Sequence, residues 1–476
     1  MKIAVIDDGV NSEFFSIGKL SFDIEILDET HIQNRENKKH IVNHGTVCSG
    51  IIRNYAPKAQ IGSIKIMDYQ KQCSCEKLIA ALDWCYDNDI FIVHMSVGSS
   101  KMIDYVSIRS AVNKLAEKNI IVVAAFNNSG KITFPASFDS VIGVRNNEKL
   151  EGNEYFVNEN SFNDAFIIAS GTHVLLIDGE LKKTKPCNSY SAPLITAIVH
   201  NLIDKYGIIP VNEIKKLISD DKAIAQKSFY PYFFNKAVLV NLSDENLIYN
   251  PFFHVMKAYN KFNYKNVEFD KTGALVIIPN SINDFYNEEK ILYILEKNKS
   301  YVSELLYVGI ATSSIENLCY NDLKIPLTDE KYKKYNYLRY IENDSFSNAS
   351  GPILSIKGTY KNCIKLVYEI NRMFETLGYN SKAVSSYEKS YLYDIEYISS
   401  NLLYKSNILK LFNFYNLEVM IINSNNISAD NLYDIIIVVD ENTDNIVYSE
   451  SKIIVTKNYS DRDIKDIFNY ILDILV

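Results

Sequence analysis

Three short stretches hold residue types that could do chemistry. Lys185-Pro186-Cys187-Asn188-Ser189-Tyr190-Ser191-Ala192-Pro193 runs into a segment that is apolar at helical spacing: Leu194, Ile195, Ile198, Val199, Leu202 and Ile203. Pro193 suits the first turn of that helix, where its missing N–H costs nothing. Ser189 is then expected in the turn just before a buried helix. The free N–H groups and positive dipole end of such a helix would stabilise a developing oxyanion, so the place suits a nucleophile. A serine there also serves as a plain cap, so its partners must be sought upstream. Ile3 to Ile6 is an apolar run that stops at Asp7-Asp8-Gly9. It reads as a buried parallel strand delivering a carboxylate at its C-terminal end, although Asp-Gly is also a turn signal. Asn43-His44-Gly45-Thr46-Val47-Cys48-Ser49-Gly50 reads as a tightly packed helix start. His44 is structural or functional by that reading alone.

Elements must bring these residues together. Ile61 to Met67, Ile90 to Met95, Ile120 to Ala125 and Val141 to Val144 read as strands. Glu76 to Asn88 and Val106 to Lys118 read as the helices between them. Such alternation predicts an α/β fold, a parallel sheet with helices on both faces. Sites in such sheets lie beyond the carboxyl ends of the strands. There the chain carries Ser96-Val97-Gly98-Ser99 and Phe126-Asn127-Asn128-Ser129-Gly130.

The 476 residues, 47% of them hydrophobic, are enough for at least two domains with proper cores. The net charge of -8 is spread along the chain without a basic stripe, which argues against a nucleic-acid partner. No run of about twenty apolar residues is present, so no membrane span is expected. The N-terminal apolar stretch is too short for a signal peptide and ends in acid, so the chain is expected in the cytoplasm. Seven cysteines without repeated spacing fit reduced thiols. Cys73-Ser74-Cys75 lacks a second ligand pair and reads as a surface turn. No metal and no cofactor are expected.

The second half repeats the pattern. Asn212 to Ser219 reads as a short helix with Asn212 as its cap, and Ala237 to Val240 as a short strand. Beyond Tyr249 a second α/β domain is expected. It starts with a strand over Gly273 to Pro279 and restarts at Gly351-Pro352. Strand, Gly358 turn and helix (Cys363 to Leu377) invite a phosphate-loop reading, but Cys363-Ile364-Lys365 stands where Gly-Lys-Ser/Thr should. A plain turn is the simpler reading. The expected boundaries are 1–205, a connection over 206–245, and 246–476, the last divisible at 345/346.

The motifs together resemble the subtilisin family of serine proteases over residues 1 to 205. Val5-Ile6-Asp7-Asp8-Gly9-Val10 resembles the family's aspartate motif, and His44-Gly45-Thr46 its histidine motif. Val122-Val123-Ala124-Ala125-Phe126-Asn127-Asn128 resembles the strand ending in the oxyanion asparagine. Phe134-Pro135-Ala136 and Val141-Ile142-Gly143-Val144 resemble the segment after it. Cys187-Asn188-Ser189-Tyr190-Ser191-Ala192-Pro193 resembles Gly-Thr-Ser-Met-Ala-x-Pro, and the proline spacing makes Ser189 the nucleophile rather than Ser191. The order Asp, His, Ser along the chain is the subtilisin order. The resemblance implies that Ser189 attacks a peptide carbonyl and His44 shuttles the proton. It implies that Asp7 holds the imidazole, and that Asn127 with the Ser189 N–H binds the oxyanion. Ser96, Val97 and Gly98 become the edge on which a peptide adds as a strand.

Departures from the family pattern shape the expectation. Val47 replaces a second histidine, Phe126 a glycine, and Cys187-Asn188 the Gly-Thr pair. Phe126 is expected to intrude on, or cap, the pocket for the side chain before the cut. The segment after His44 lacks a calcium loop, and nothing before Asp7 leaves room for a pro-domain. A dedicated peptide substrate follows. The two-part layout resembles bacterial peptide-maturation systems, which implies leader cleavage from a modified precursor and a peptide-modifying enzyme as partner. The alternatives are a pseudoprotease that holds a peptide without cutting it, and a general intracellular protease.

Overall fold

The computed structural model describes residues 1–36, 41–67, 73–128, 132–158, 166–177, 180–219, 234–244, 253–270, 273–280, 287–325, 327–328, 349–387, 390–393, 395–425, 432–449 and 451–475. The chain forms two compact units. One covers Met1–Ser100 and Asp104–Asn235, the other Lys101–Ile103 and Lys236–Val476.

The first unit is built on a nine-stranded sheet. Its strands are β1 (Lys2–Asp7), β2 (Asp23–Ile26), β3 (Ile32–Asn34), β4 (Gln60–Lys65), β5 (Ile92–Met95), β6 (Ile121–Ala125), β7 (Val141–Asn146), β8 (Tyr155–Val157) and β9 (Ile167–Ala169). They lie in the order β3-β2-β4-β1-β5-β6-β7-β9-β8. Neighbours pair in parallel from β2 through β9, and only the edge strands β3 and β8 are antiparallel. Side chains alternate across a strand. Ile3 and Val5 of β1 join one core, yet Ala4 and Ile6 on the opposite face are equally unexposed. Both faces are therefore covered, as the continuous apolar runs predict.

Helices that pack against this sheet include α1 (His44–Tyr55), α2 (Cys75–Asp87), α3 (Tyr105–Glu117) and α4 (Asn188–Tyr206). Helix α1 packs on α4, and α4 lies across β5, β6, β7 and β9, while α2 pairs with α3. Ser74 caps α2, accepting from the Lys77 amide at 3.4 Å, so Cys75 begins a helix rather than completing a turn. A separate antiparallel hairpin, β10 (Val174–Ile177) and β11 (Glu180–Lys183), leads into α4. Helix α5 (Val211–Ser219) follows.

Two helix starts differ from expectation. Helix α4 begins at Asn188, a full turn before the apolar residues, with Cys187 extended at its N-cap (φ -160°, ψ 162°). Ser189 is thus inside the first turn, and Pro193 lies in the helix interior. Helix α5 begins at Val211, because the Pro210 carbonyl accepts from the amides of Glu213 and Ile214 at 3.0 and 3.1 Å. Asn212 is therefore within its first turn, not its cap. No single helix among the described residues is long and apolar enough to cross a membrane.

The second unit holds two further sheets. Phe234–Asn241 pairs in parallel with Gly273–Ile278, so the strand expected within a connection belongs to this unit's five-stranded sheet. A seven-stranded sheet runs Glu396–Tyr397, Ser381–Ser385, Val419–Asn423, Ile353–Lys357, Ile435–Asp440, Lys452–Thr456 and Val447–Ser449, parallel except at the last pair. Helix Asp461–Leu475 buries Ile464, Ile467, Phe468 and Ile471, the stripe visible in the sequence. At the Gly358 turn, the Gly358 amide donates to Asn425 Oδ1 at 2.9 Å, and Thr359 Oγ1 bonds the Glu441 carboxylate at 2.6 Å. The amide a phosphate would need is occupied and a carboxylate stands beside it, which is a poor phosphate loop.

Helix α4 carries the load of the first core: Leu194, Ile195, Ala197 and Val199 are all 0% exposed. Ile195→Ala is expected to cost about 2–4 kcal/mol, read as a lowered urea midpoint for the first unit's transition. An unchanged midpoint would mean that the helix is not the centre of that core.

Candidate active site

Asp7 ends β1 and is 0% exposed. A buried carboxylate must be paired or hydrogen-bonded. Both of its oxygens lie 2.9 Å from His44 Nδ1, and Oδ1 also accepts from the Asp8 amide at 2.8 Å. Burial pushes this carboxyl up, but the His44 hydrogen bond and charge and the Asp8 amide outweigh it and hold it below its usual value.

The next residue positions the histidine. Asp8 accepts from the amides of His44 and Gly45 at 3.2 and 2.8 Å, so its carboxylate sits on the free N–H groups that open α1. Burial, and then the charge of Asp7, push the Asp8 carboxyl up. Gly45 permits the close approach: a Cβ there would meet the Gly9 carbonyl oxygen at 2.5 Å and Asp7 Cβ at 3.0 Å. Gly9 has φ +99°, and a Cβ there would meet the Arg35 guanidinium at 2.0 Å. Arg35 in turn is ion-paired with Asp23 at 3.1 Å and donates to the Val10 carbonyl, which fixes the loop beyond Asp7.

The serine segment approaches from the other side. The Tyr190 ring stacks on the His44 ring, centroids 5.5 Å apart. Cys48, one turn along α1, places its Sγ 4.0 Å from His44 Nδ1 and 3.6 Å from the Ser189 carbonyl. Ser189 is half-buried. Ser191 is 0% exposed and donates to the Ala169 carbonyl at 3.1 Å, so it points into the core. The two serines therefore lie in different surroundings. No hydrogen bond joins His44 to Ser189 Oγ among the described residues; catalytic hydrogen bonds are often loose before substrate binds.

Asn188 ties strand ends to the nucleophile. Its Nδ2 donates to the Asn127 carbonyl at 2.6 Å, its amide to Asn128 Oδ1 at 3.1 Å, and its Oδ1 accepts from the Asn146 amide at 2.7 Å. Asn127 is thereby brought beside Ser189, and its own amide donates to Thr133 Oγ1 at 3.1 Å. Ser129 and Gly130 lie outside the described residues. Val97 and Gly98 follow β5, and Gly98 is exposed. Phe126 is 2% exposed. Its ring occupies the space left at Gly143, with the Arg145 guanidinium 4.5 Å from its centroid. A ring so placed is part of a wall, not a lid over an opening.

Sequence reading passes over several members of the site. Asp8, Cys48, His94, Asn146, Asn188 and Tyr190 act through partners up to 141 residues away in the chain, which no local pattern signals. His173 is another. Its Nε2 lies 2.9 Å from the Tyr190 carbonyl and 3.1 Å from that of Ser170, while Nδ1 is 3.1 Å from Tyr55 Oη. Two carbonyls at one nitrogen make Nε2 the protonated atom. Asp7, His44 and Cys48 bring three possible metal donors within 4.8 Å. The imidazole atom among them is the Nδ1 already bonded to Asp7, and burial pushes the Cys48 thiol up, so it stays neutral. A hydrogen-bonded pair beside a neutral thiol accounts for the arrangement.

His44 is raised above its ordinary 6.5, by the charge of a Cys48 thiolate first and by the Asp7 hydrogen bond and charge, against burial. With the thiol neutral, the share acting near neutral pH is that of Asp7. A raised folded value means that the pair's contribution to stability is complete below about 6.5 and is lost as pH rises through the higher value. In an NMR titration His44 is expected to titrate above 6.5. Asp7→Asn should bring it down, because burial alone lowers a histidine. A His44 value unmoved by Asp7→Asn would show that the carboxylate does not act on the imidazole.

The subtilase family model matches residues 1–238, half of the chain. The minor extracellular protease Epr of Bacillus subtilis is 33% identical over 162 residues, 31% of this chain but only 24% of that protein. Subtilisin DY of Bacillus licheniformis is 23% identical over 253 residues, 48% of this chain and 86% of that one. Among solved structures, a cold-adapted subtilisin-like serine proteinase is 17% identical, with TM-score 0.36, over 46% of this chain and 81% of its own. A lanthipeptide protease is 12% identical, with TM-score 0.35, over 46% and 78%. With the family model spanning the whole first unit, the chain belongs to the subtilase family of serine peptidases.

Proposed function

We propose that the chain is a serine endopeptidase that cuts a dedicated peptide. The observation that carries this reading is the unexposed Asp7 carboxylate bonded to His44 Nδ1, with Cys48 Sγ within reach of both the imidazole and the Ser189 main chain. In the proposed mechanism Ser189 Oγ attacks the scissile carbonyl. His44 Nε2 takes its proton and returns it to the leaving amine, while Asp7 stabilises the imidazolium. Asn127 and the Ser189 N–H receive the oxyanion, and the substrate lies extended along Ser96, Val97 and Gly98.

The substrate we propose is the leader of a ribosomally made, modified precursor, cut in the cytoplasm. Seven cysteines, none bridged, suit a reducing compartment. The second unit then serves to hold the precursor or a peptide-modifying enzyme. The rival reading, a pseudoprotease that binds a peptide without cutting it, draws on the missing hydrogen bond between His44 and Ser189 Oγ.

A fluorophosphonate should label the chain at Ser189, and Ser189→Ala should abolish labelling. Asp7→Asn should cut kcat by about ten-thousand-fold, and Asn127→Ala by roughly a hundredfold or more. Cleavage of the cognate precursor at one place, with unrelated denatured proteins left intact, would support the dedicated role. Tight precursor binding without turnover would establish the pseudoprotease, and rapid cleavage of any unfolded protein a general protease.

A further inference from the structure

Pro193 creates a vacancy at the nucleophile. In an α-helix each amide donates to the carbonyl four residues back. Residue 193 has no N–H, so the Ser189 carbonyl has no donor in the helix ladder. It is served from outside. Ser96 Oγ donates to it at 3.0 Å, and the Cys48 thiol, a weak donor, lies at 3.6 Å. Ser96 Oγ is also 3.2 Å from His94 Nε2, and His94 Nδ1 is 2.9 Å from Thr196 Oγ1 on α4. His94 and Thr196 are both 0% exposed.

The protons can be counted. Burial first, together with the charge of His44 and against that of Asp7, pushes His94 down to about 4, so its ring is neutral near neutral pH and carries one N–H. If that hydrogen sits on Nδ1, it goes to Thr196, and Nε2 is a lone pair. The single Ser96 proton is then drawn to His94 Nε2, and the Ser189 carbonyl keeps only the Cys48 thiol, a weak donor at 3.6 Å. If it sits on Nε2, every acceptor is served. Thr196 donates to Nδ1, Nε2–H donates to Ser96 Oγ, and Ser96 donates to the Ser189 carbonyl. Thr196 Oγ1 gives up only its 3.0 Å contact to the Ala192 carbonyl, an interior helix carbonyl whose ladder partner is the Thr196 amide. Aligned donors of this kind polarise one another in a dry interior.

We infer that His94 is a positioning residue for Ser189: as the Nε2–H tautomer it commits the Ser96 hydroxyl to the carbonyl that Pro193 leaves open, and so sets the main chain of the nucleophile. The inference rests on Ser189 being that nucleophile, and its test has one arm independent of activity. With the imidazoles labelled with ¹⁵N, the full chain shows seven histidines; His94 is identified by its loss in His94→Gln. A protonated Nε2 and a bare Nδ1 are expected, and the reverse pattern overturns the inference whether or not the chain cleaves anything.

In the second arm, His94→Leu removes the donor while keeping an apolar side chain of similar size, and His94→Gln keeps an N–H near the place of Nε2. His94→Leu should lower kcat and the fluorophosphonate labelling rate about tenfold, the effect of one buried hydrogen bond, with KM moved less than about twofold. His94→Gln should recover most of the rate. Both variants should melt within a few degrees of each other. Equal rates in the two variants, or a fall that follows melting temperature alone, would reduce His94 to core filling. An unmutated chain that takes no label overturns the nucleophile assignment instead, and the tautomer then decides the hydrogen-bond chain by itself.

Discussion

A carboxylate with no solvent exposure stands at the end of β1, an interior strand of the first unit's sheet, and the arrangement around it follows from the need to compensate that charge. Asp7 is answered by the His44 imidazole and by the Asp8 amide. His44 can reach it only because Gly45 lets α1 approach the loop after β1, where any Cβ would strike the Gly9 carbonyl. Asp8 then pins the opening amides of α1 from the same loop. The pairing therefore ties strand to helix before any substrate is present. It also leaves His44 Nε2 as the nitrogen not turned to Asp7.

Helix α4 supplies the second constraint. Its apolar residues make it the centre of the core against β5, β6, β7 and β9, so its first turn is held at the carboxyl ends of those strands. Helix position and strand register together place Ser189, Asn127 and Ser96 within one neighbourhood, although they come from three separate segments. A proline in that helix would ordinarily be a defect. Here its cost falls on one carbonyl, and the β5 end carries the hydroxyl that meets it.

Much of this is legible in the sequence, for physical reasons. Buried parallel strands must be apolar throughout, so Ile3 to Ile6, Ile92 to Met95 and Ile121 to Ala125 stand out, and the polar residues following these runs mark the site side of the sheet. The order of Asp7, His44 and Ser189, with the proline after the serine, carries the family. The short strands β2, β3 and β8 at and near the sheet edges are not legible, because three or four residues are too few to show a period. Strand 234–241 reads too short, and within a connection, because its partner lies some forty residues on at Ala274 to Ile278. The start of α4 is displaced in the sequence reading because Pro193 draws it to the helix start, whereas the polar residues from Asn188 are already helical. The bonding of Ser96, His94, Asn188 and Cys48 cannot be read at all, since each depends on partners brought near only by the folded sheet.

The departures from the family pattern bear on whether the site is kept or decaying. A site losing its chemistry accumulates changes one at a time, and each leaves a group without its partner. Here the changed residues are matched. Phe126 fits the space of Gly143 and meets Arg145. Asn188 makes three hydrogen bonds, to Asn127, Asn128 and Asn146, that hold the strand ends to the nucleophile. Tyr190 lies on the His44 ring while His173 holds its carbonyl. Each of these pairs draws on two or more distant segments, so each required more than one residue to suit. Mutual fit of this kind around Asp7, His44 and Ser189 shows that these departures from the family pattern were accommodated by their neighbours and did not leave unpaired groups behind.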